Sequence, residues 1–175
     1  MFKPEWIRFN WDLKKLPTEE PKAGAGLEVR LGEEKESRAI VTVVERSYQA
    51  EQGWGVIRPQ RLKELQEIIL RGMDERDIKV LVLQDGRRAV GASVLCIAAD
   101  APRQLVSGVC VVEEYHNRGW GKLLLWRSLK FLAEQGLDKA SVVTRSNVNA
   151  FRYLYPKYFS TRERLDEMPL LEKYL

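Results

Sequence analysis

The chain has 175 residues, 45% of them hydrophobic and 31% charged, which is the size and composition of one soluble domain with a core of its own. Its 29 lysines and arginines against 25 acidic residues leave a net charge of +4, dispersed along the chain, which argues against a nucleic-acid-binding face. No apolar run nears the ~20 residues that span a bilayer, no signal-peptide core opens the sequence, and two cysteines with one histidine make no usual zinc set. The expectation is a cytoplasmic protein with no membrane segment and no metal.

Residues 1–26 read as an N-terminal extension, and 27–175 as the domain. Trp6, Ile7, Phe9 and Trp11 are too apolar for a solvated tail, so this stretch docks on the core or on a partner. Pro17, Pro21 and Gly24-Ala25-Gly26 then read as a linker. Leu27–Leu31 alternates as a half-buried strand. Residues 33–49 predict a helix with Ile40, Val43, Val44 and Tyr48 on one stripe. Residues 58–77 predict a second, with Leu62, Leu65, Ile69 and Met73 sharing a face. Residues 78–83 and 89–98 read as strands joined at Asp85-Gly86, and 105–112 as the next strand. A helix over 123–135 ends at Gly136, and 140–144 is a strand reached through that helix, hence parallel to its neighbour. The last strands are placed from Pro169 to the end of the chain.

The stretch 105–135 organises the rest. An apolar, β-branched strand runs into a polar turn, then into Gly119-Trp120-Gly121-Lys122, then into a helix. A helix start offers unpaired N–H groups and the positive end of the dipole, and glycines let a phosphate come close. Two common phosphate motifs fail on spacing. A dinucleotide fingerprint needs a glycine where Leu124 stands, and a P-loop needs Ser or Thr at Leu123 and a glycine at His116.

What the stretch resembles is the acetyl-coenzyme A signature of the GCN5-related N-acetyltransferases, Arg/Gln-x-x-Gly-x-Gly/Ala after a strand ending in Val-x-Pro-x-Tyr. It reads here Val111-Val112-Glu113-Glu114-Tyr115-His116-Asn117-Arg118-Gly119-Trp120-Gly121, with Glu113 for the proline and His116 for the basic residue. A second family segment, Asn-x-x-Ala-x-x-Leu-Tyr-x-x-x-Gly-Phe, is matched by Asn147, Ala150 and Phe159. Leu154 stands where the family has tyrosine, flanked by Tyr153 and Tyr155, and Tyr158 stands for the glycine.

The resemblance implies an α+β acyl-CoA N-acyltransferase fold, a mixed and mostly antiparallel sheet flanked by helices. It implies acetyl-CoA as co-substrate and acetyl transfer to a primary amine by direct attack in a ternary complex. The N–H groups of Asn117, Arg118, Gly119, Trp120, Gly121 and Lys122, with His116, would hold the pyrophosphate. The Val111 backbone and Asn147 would hold the pantetheine. A lysine-like amine, pKa ~10.4, must lose a proton before attack, for which Glu113 or Glu114 is the candidate. Tyr155 or Tyr153 would protonate the departing thiolate. The acceptor, a small molecule or a protein amine, is left open, as is a homodimer. The alternative is a non-catalytic acyl-CoA-binding module acting through a protein partner.

Overall fold

The computed structural model describes residues 3–73, 77–169 and 171. The described strands are β1 (Trp6–Asp12), β2 (Leu27–Leu31), β3 (Ile78–Asp85), β4 (Arg88–Cys96), β5 (Leu105–Val111), β6 (Lys139–Arg145) and β7 (Thr161–Leu165). The helices are α1 (Ser37–Ala50), α2 (Arg58–Gly72), α3 (Trp120–Glu134) and α4 (Asn149–Tyr153). One sheet holds all seven strands in the order β2-β3-β4-β5-β6-β1-β7, with every neighbouring pair antiparallel except β5 and β6. Helices flank it: α1 and α2 pack on each other and α1 on β4 and β5, while α3 lies against β3 to β6. Among the described residues, no helix is long and apolar enough to cross a membrane.

The local signals become the expected elements. The α1 stripe of Ile40, Val43, Val44 and Tyr48 is buried, joined by Val41. The β3–β4 hairpin turns at Gly86, whose φ of 58° suits a residue without a Cβ. Helix α3 closes with Gly136 at φ 91°. The Gly136 N–H donates to the Ala133 carbonyl and the Leu137 N–H to that of Leu132, a Schellman closure.

Two placements depart from the sequence reading. The stretch set apart as an extension supplies β1, an internal strand. It pairs with β6 from Trp6↔Arg145 to Asp12↔Lys139 on one side and with β7 on the other. Its alternation explains why: Ile7, Phe9 and Trp11 face the core while Arg8 and Asn10 face outward. The last described strand is Thr161–Leu165, ahead of the position expected from Pro169 onward; residues 170 and 172–175 lie outside the described residues.

The start of α1 is fixed electrostatically. Arg30 on β2 grips Glu36 through both nitrogens, and the Glu36 carboxylate also accepts the Glu33 N–H at 2.8 Å. The Arg30 guanidinium holds the Glu36 carboxyl at about 2, below its ordinary 4.5. A depressed carboxyl contributes stability above its ordinary value and loses it as pH falls toward the depressed one. Glu36→Gln should therefore lower stability at pH 7 by about 1 kcal/mol, the pair being solvent-screened. In acid titrations of unfolding, the gap between variant and parent should close between pH 4.5 and about 2.

Candidate active site

Strands β5 and β6 meet only at Leu105↔Val142 and then part. The cause lies in β5. Ser93 pairs with Val109 but Leu95 with Leu105, so two steps on β4 match four on β5, and the excess forms a bulge with Gly108 at φ 71°. Side chains replace the lost ladder bonds. Ser107 Oγ accepts the Val94 N–H at 3.0 Å, Tyr48 Oη–H donates to the Ser107 carbonyl at 2.6 Å, and Tyr155 Oη accepts the Val109 N–H at 3.2 Å. Val112 donates to Val90, so ladder alternation turns the N–H and C=O groups of Val109 and Val111 into the cleft.

The cleft is a cavity of about 470 Å³. At one end lie Val111, His116, Asn117, Gly119, Gly121 and Lys122; at the other Tyr48, Glu51, Trp54 and Thr144. Tyr155 lies between β5 and α4. The glycine end has the geometry expected for an anion. Gly119 precedes the helix at φ 84°, and Leu123 is the residue whose N–H reaches the Gly119 carbonyl. The N–H groups of Trp120, Gly121 and Lys122, in the first turn of α3, thus have no carbonyl one turn back. Asn117 adopts φ 63°, a conformation asparagine tolerates better than most residues.

Of the residues expected at the site, Val111, His116, Asn117, Gly119, Gly121, Lys122, Tyr153 and Tyr155 line the cavity, Tyr153 largely exposed. His116 acts as a clamp: its Nε2–H donates to the Val111 carbonyl at 2.6 Å, closing the turn and leaving the Val111 N–H toward the cleft. Arg118 is exposed with its guanidinium over the Tyr115 ring, and its carbonyl accepts the Gly24 N–H at 3.2 Å. Trp120 turns its indole away from the cleft, onto Gly24 of the 17–26 segment. Asn147 is exposed and off the cavity; its neighbour Asn149 lines it. Val148, not either asparagine, is the N-cap of α4.

The expected proton acceptors fall elsewhere. Glu113 sits exposed on the short turn after β5 and does not line the cavity. Glu114 is engaged with Arg46; its own backbone N–H and then that guanidinium hold its carboxyl below the usual range.

Tyr155 is 4% exposed and stands at the bulge. Burial, reinforced by Tyr48, pushes its hydroxyl far above the ordinary value, so it is a neutral phenol that accepts from Val109 and keeps its own O–H to donate. Its reach follows from how α4 ends. Both Leu154 and Tyr155 donate to the Ala150 carbonyl, the latter across an i→i−5 turn, and Pro156 offers no N–H to continue the helix. Strand β1 holds the ring in place, with Phe9 and Trp11 centroids at 5.8 and 6.2 Å. Tyr158, at the family's glycine position, keeps a φ of 61° and is held there by its hydroxyl, which donates to the Lys122 carbonyl at 3.0 Å.

Tyr48, Glu51 and Arg61 carry no motif in the sequence. Tyr48 and Trp54 stack at 4.8 Å, and Trp6 from β1 lies 6.5 Å from Trp54. Glu51 lines the same wall. Arg61, 2% exposed, sets its guanidinium 5.6 Å from the Trp54 ring and donates to the Val106 carbonyl at 3.4 Å, placing a buried cation behind the bulge. Cys110 lines the cavity as a neutral thiol, which burial raises to about 11.

A parallel strand pair splayed by a bulge, with a glycine turn and helix start at its mouth, is the arrangement expected of an acyl-CoA N-acyltransferase fold. The sequence matches the Acetyltransferase (GNAT) family over residues 42–158, and the chain belongs to that family. The fold is similar to a GCN5-related N-acetyltransferase from Kribbella flavida (TM-score 0.61, 14% identity, 93% of this chain and 55% of that one). It is also similar to a Drosophila protein (0.62, 12%, 93% and 49%) and to a GCN5-related N-acetyltransferase from Sphaerobacter thermophilus (0.57, 17%, 93% and 50%). The chain therefore spans about half the length of these structures. No curated protein matches the sequence significantly.

Proposed function

We propose that the chain transfers an acetyl group from acetyl-CoA to a primary amine by direct attack within a ternary complex. The observation that carries this reading is the bulge at Gly108, which opens the β5 edge toward the glycine turn. When bound, acetyl-CoA supplies the thioester. The first-turn N–H groups of α3 and the Lys122 ammonium receive its phosphates. The Val111 N–H, at the cleft edge, meets the acyl chain and supports the negative charge that develops on its oxygen. Arg61 favours that charge through the strand, as a fixed cation in a poorly solvated place. Tyr155 Oη–H gives the proton to the leaving sulfur.

Calorimetric titration with acetyl-CoA and a thiol-release assay over a panel of amines test the reading. Acetyl-CoA binding without thiol release on any amine would favour the non-catalytic module instead. Tyr155→Phe should lower kcat about 100-fold and change acetyl-CoA affinity little, since the phenol is used in proton transfer and not in holding the cofactor. An unchanged kcat would remove Tyr155 from the chemistry.

A further inference from the structure

Glu51 follows the last turn of α1, half-buried, and is the carboxylate lining the cavity among the described residues. Its Oε1 accepts the Gly53 N–H at 3.1 Å and its Oε2 the Asn149 N–H at 3.0 Å. The two bonds fix the carboxylate between the α1–α2 connection and α4. An ionised carboxylate has about four lone-pair sites, so each oxygen keeps one for another donor. Among the described residues, no lysine or arginine forms an ion pair with it. A second polar group at the same cavity has no partner: Thr144, 1% exposed, is one of the lining residues, and its Oγ1 has no hydrogen bond among the described residues. The Tyr48–Trp54 stack lines the same cavity, an apolar wall with two π faces.

Resting on the acetyltransferase reading, we propose that Glu51 binds the acceptor's ammonium and takes its proton, and that the acceptor is a monocationic primary amine on an apolar stem. A fixed carboxylate and an unpaired hydroxyl suit one ammonium, and the aromatic wall suits an alkyl or aryl stem and a nearby cation. A polycationic acceptor would need further carboxylates that the cavity lining does not offer. The step balances. The ammonium gives one proton to Glu51, and the amine lone pair forms the C–N bond at the thioester carbon. The C–S bond breaks with its electron pair on sulfur. The second N–H proton leaves the nitrogen as the amide forms, and the thiolate gains one from Tyr155, which is reprotonated in turn. The products are the N-acetyl amine, the free thiol of coenzyme A and one proton, held first by Glu51 and then released to solvent.

The test measures binding of 2-phenylethylamine and of its neutral isostere 2-phenylethanol to the full chain saturated with coenzyme A. Wild type should bind the amine better than the alcohol, and should acetylate it in preference to spermidine. Glu51→Gln should weaken the amine about 10- to 100-fold and leave the alcohol unchanged. Thr144→Val, isosteric and outside the two hydrogen bonds that anchor Glu51, should weaken the amine by a factor of about 3 to 10. This variant keeps the test sharp if Glu51→Gln fails to fold. Equal loss of amine and alcohol in Glu51→Gln would make Glu51 a structural tie only and overturn the inference. So would a wild type that binds the two alike or prefers spermidine. A wild type that binds no acetyl-CoA overturns the acetyltransferase reading as well.

Discussion

Gly108→Ala should cost the protein both stability and turnover, and about half of the stability loss should vanish when Tyr155 is also replaced by phenylalanine. Gly108 has φ 71°, which an alanine adopts at a cost of about 1–2 kcal/mol. A Cβ there would also overlap the Tyr155 hydroxyl oxygen, while the next ring atom lies 3.6 Å away. The clash is thus with one atom. Tyr155 cannot swing aside easily, because Phe9, Trp11 and the Ala150 carbonyl fix its ring and backbone. The variant should lose about 3 kcal/mol in all, or about 6–12 °C in Tm for a chain of this size. In the Tyr155→Phe background the same change should cost only the backbone strain. A double-mutant cycle therefore returns a coupling of about 1–2 kcal/mol. Additive losses would show that the hydroxyl is not seated at the bulge, and with it the assignment of Tyr155 to the leaving sulfur would fall.

What could be read in the sequence divides by range. The strand, glycine turn and helix of 105–135 are specified by neighbours in the chain, so the turn before α3 and the cap at Gly136 stand where the sequence places them. Glu113 is a candidate because it adjoins that strand. Proximity along the chain says nothing of direction, and the turn after β5 carries it to solvent. The cavity-end residues depend on contacts between distant segments. Glu51 owes its position to Asn149, Trp54 its partner Trp6 to β1, and β1 its place to pairing with β6. The alternation of Ile7, Phe9 and Trp11 announced a strand, but no local signal said where in the sheet it would insert. Tyr155 was half legible. The tyrosine-rich segment pointed to it, while the i→i−5 turn that compensates for the displaced position forms only once the helix packs.

The glycine turn yields the second large effect. Gly119→Val should abolish acetyl-CoA binding, by about 100-fold or more, with the fold retained. Three constraints converge on this residue. Its φ of 84° is strained for any side chain and most for a β-branched one. A Cβ would come within 3.1 Å of the Lys22 carbonyl and 3.4 Å of the Ala23 Cα, so the strap 17–26 blocks relief on that side. The strap is itself fastened, by the Gly24 N–H to the Arg118 carbonyl and by the Trp126 indole N–H to the Pro17 carbonyl at 2.8 Å. The strain must then be released by rotating the peptide before α3, which turns the first-turn N–H groups off their common aim. Anion binding at a helix start needs several such donors together, so a modest rotation removes most of it. Gly121→Ala is the control. Gly121 lies in the first turn of α3, and a Cβ there meets nothing nearer than Leu154 Cδ2 at 4.0 Å. Alanine should therefore stabilise the helix by about 0.5–1 kcal/mol and leave acetyl-CoA affinity within a few-fold of wild type. Calorimetry on the two variants separates the readings. Tight binding retained by Gly119→Val would show that the cofactor does not lie on this turn.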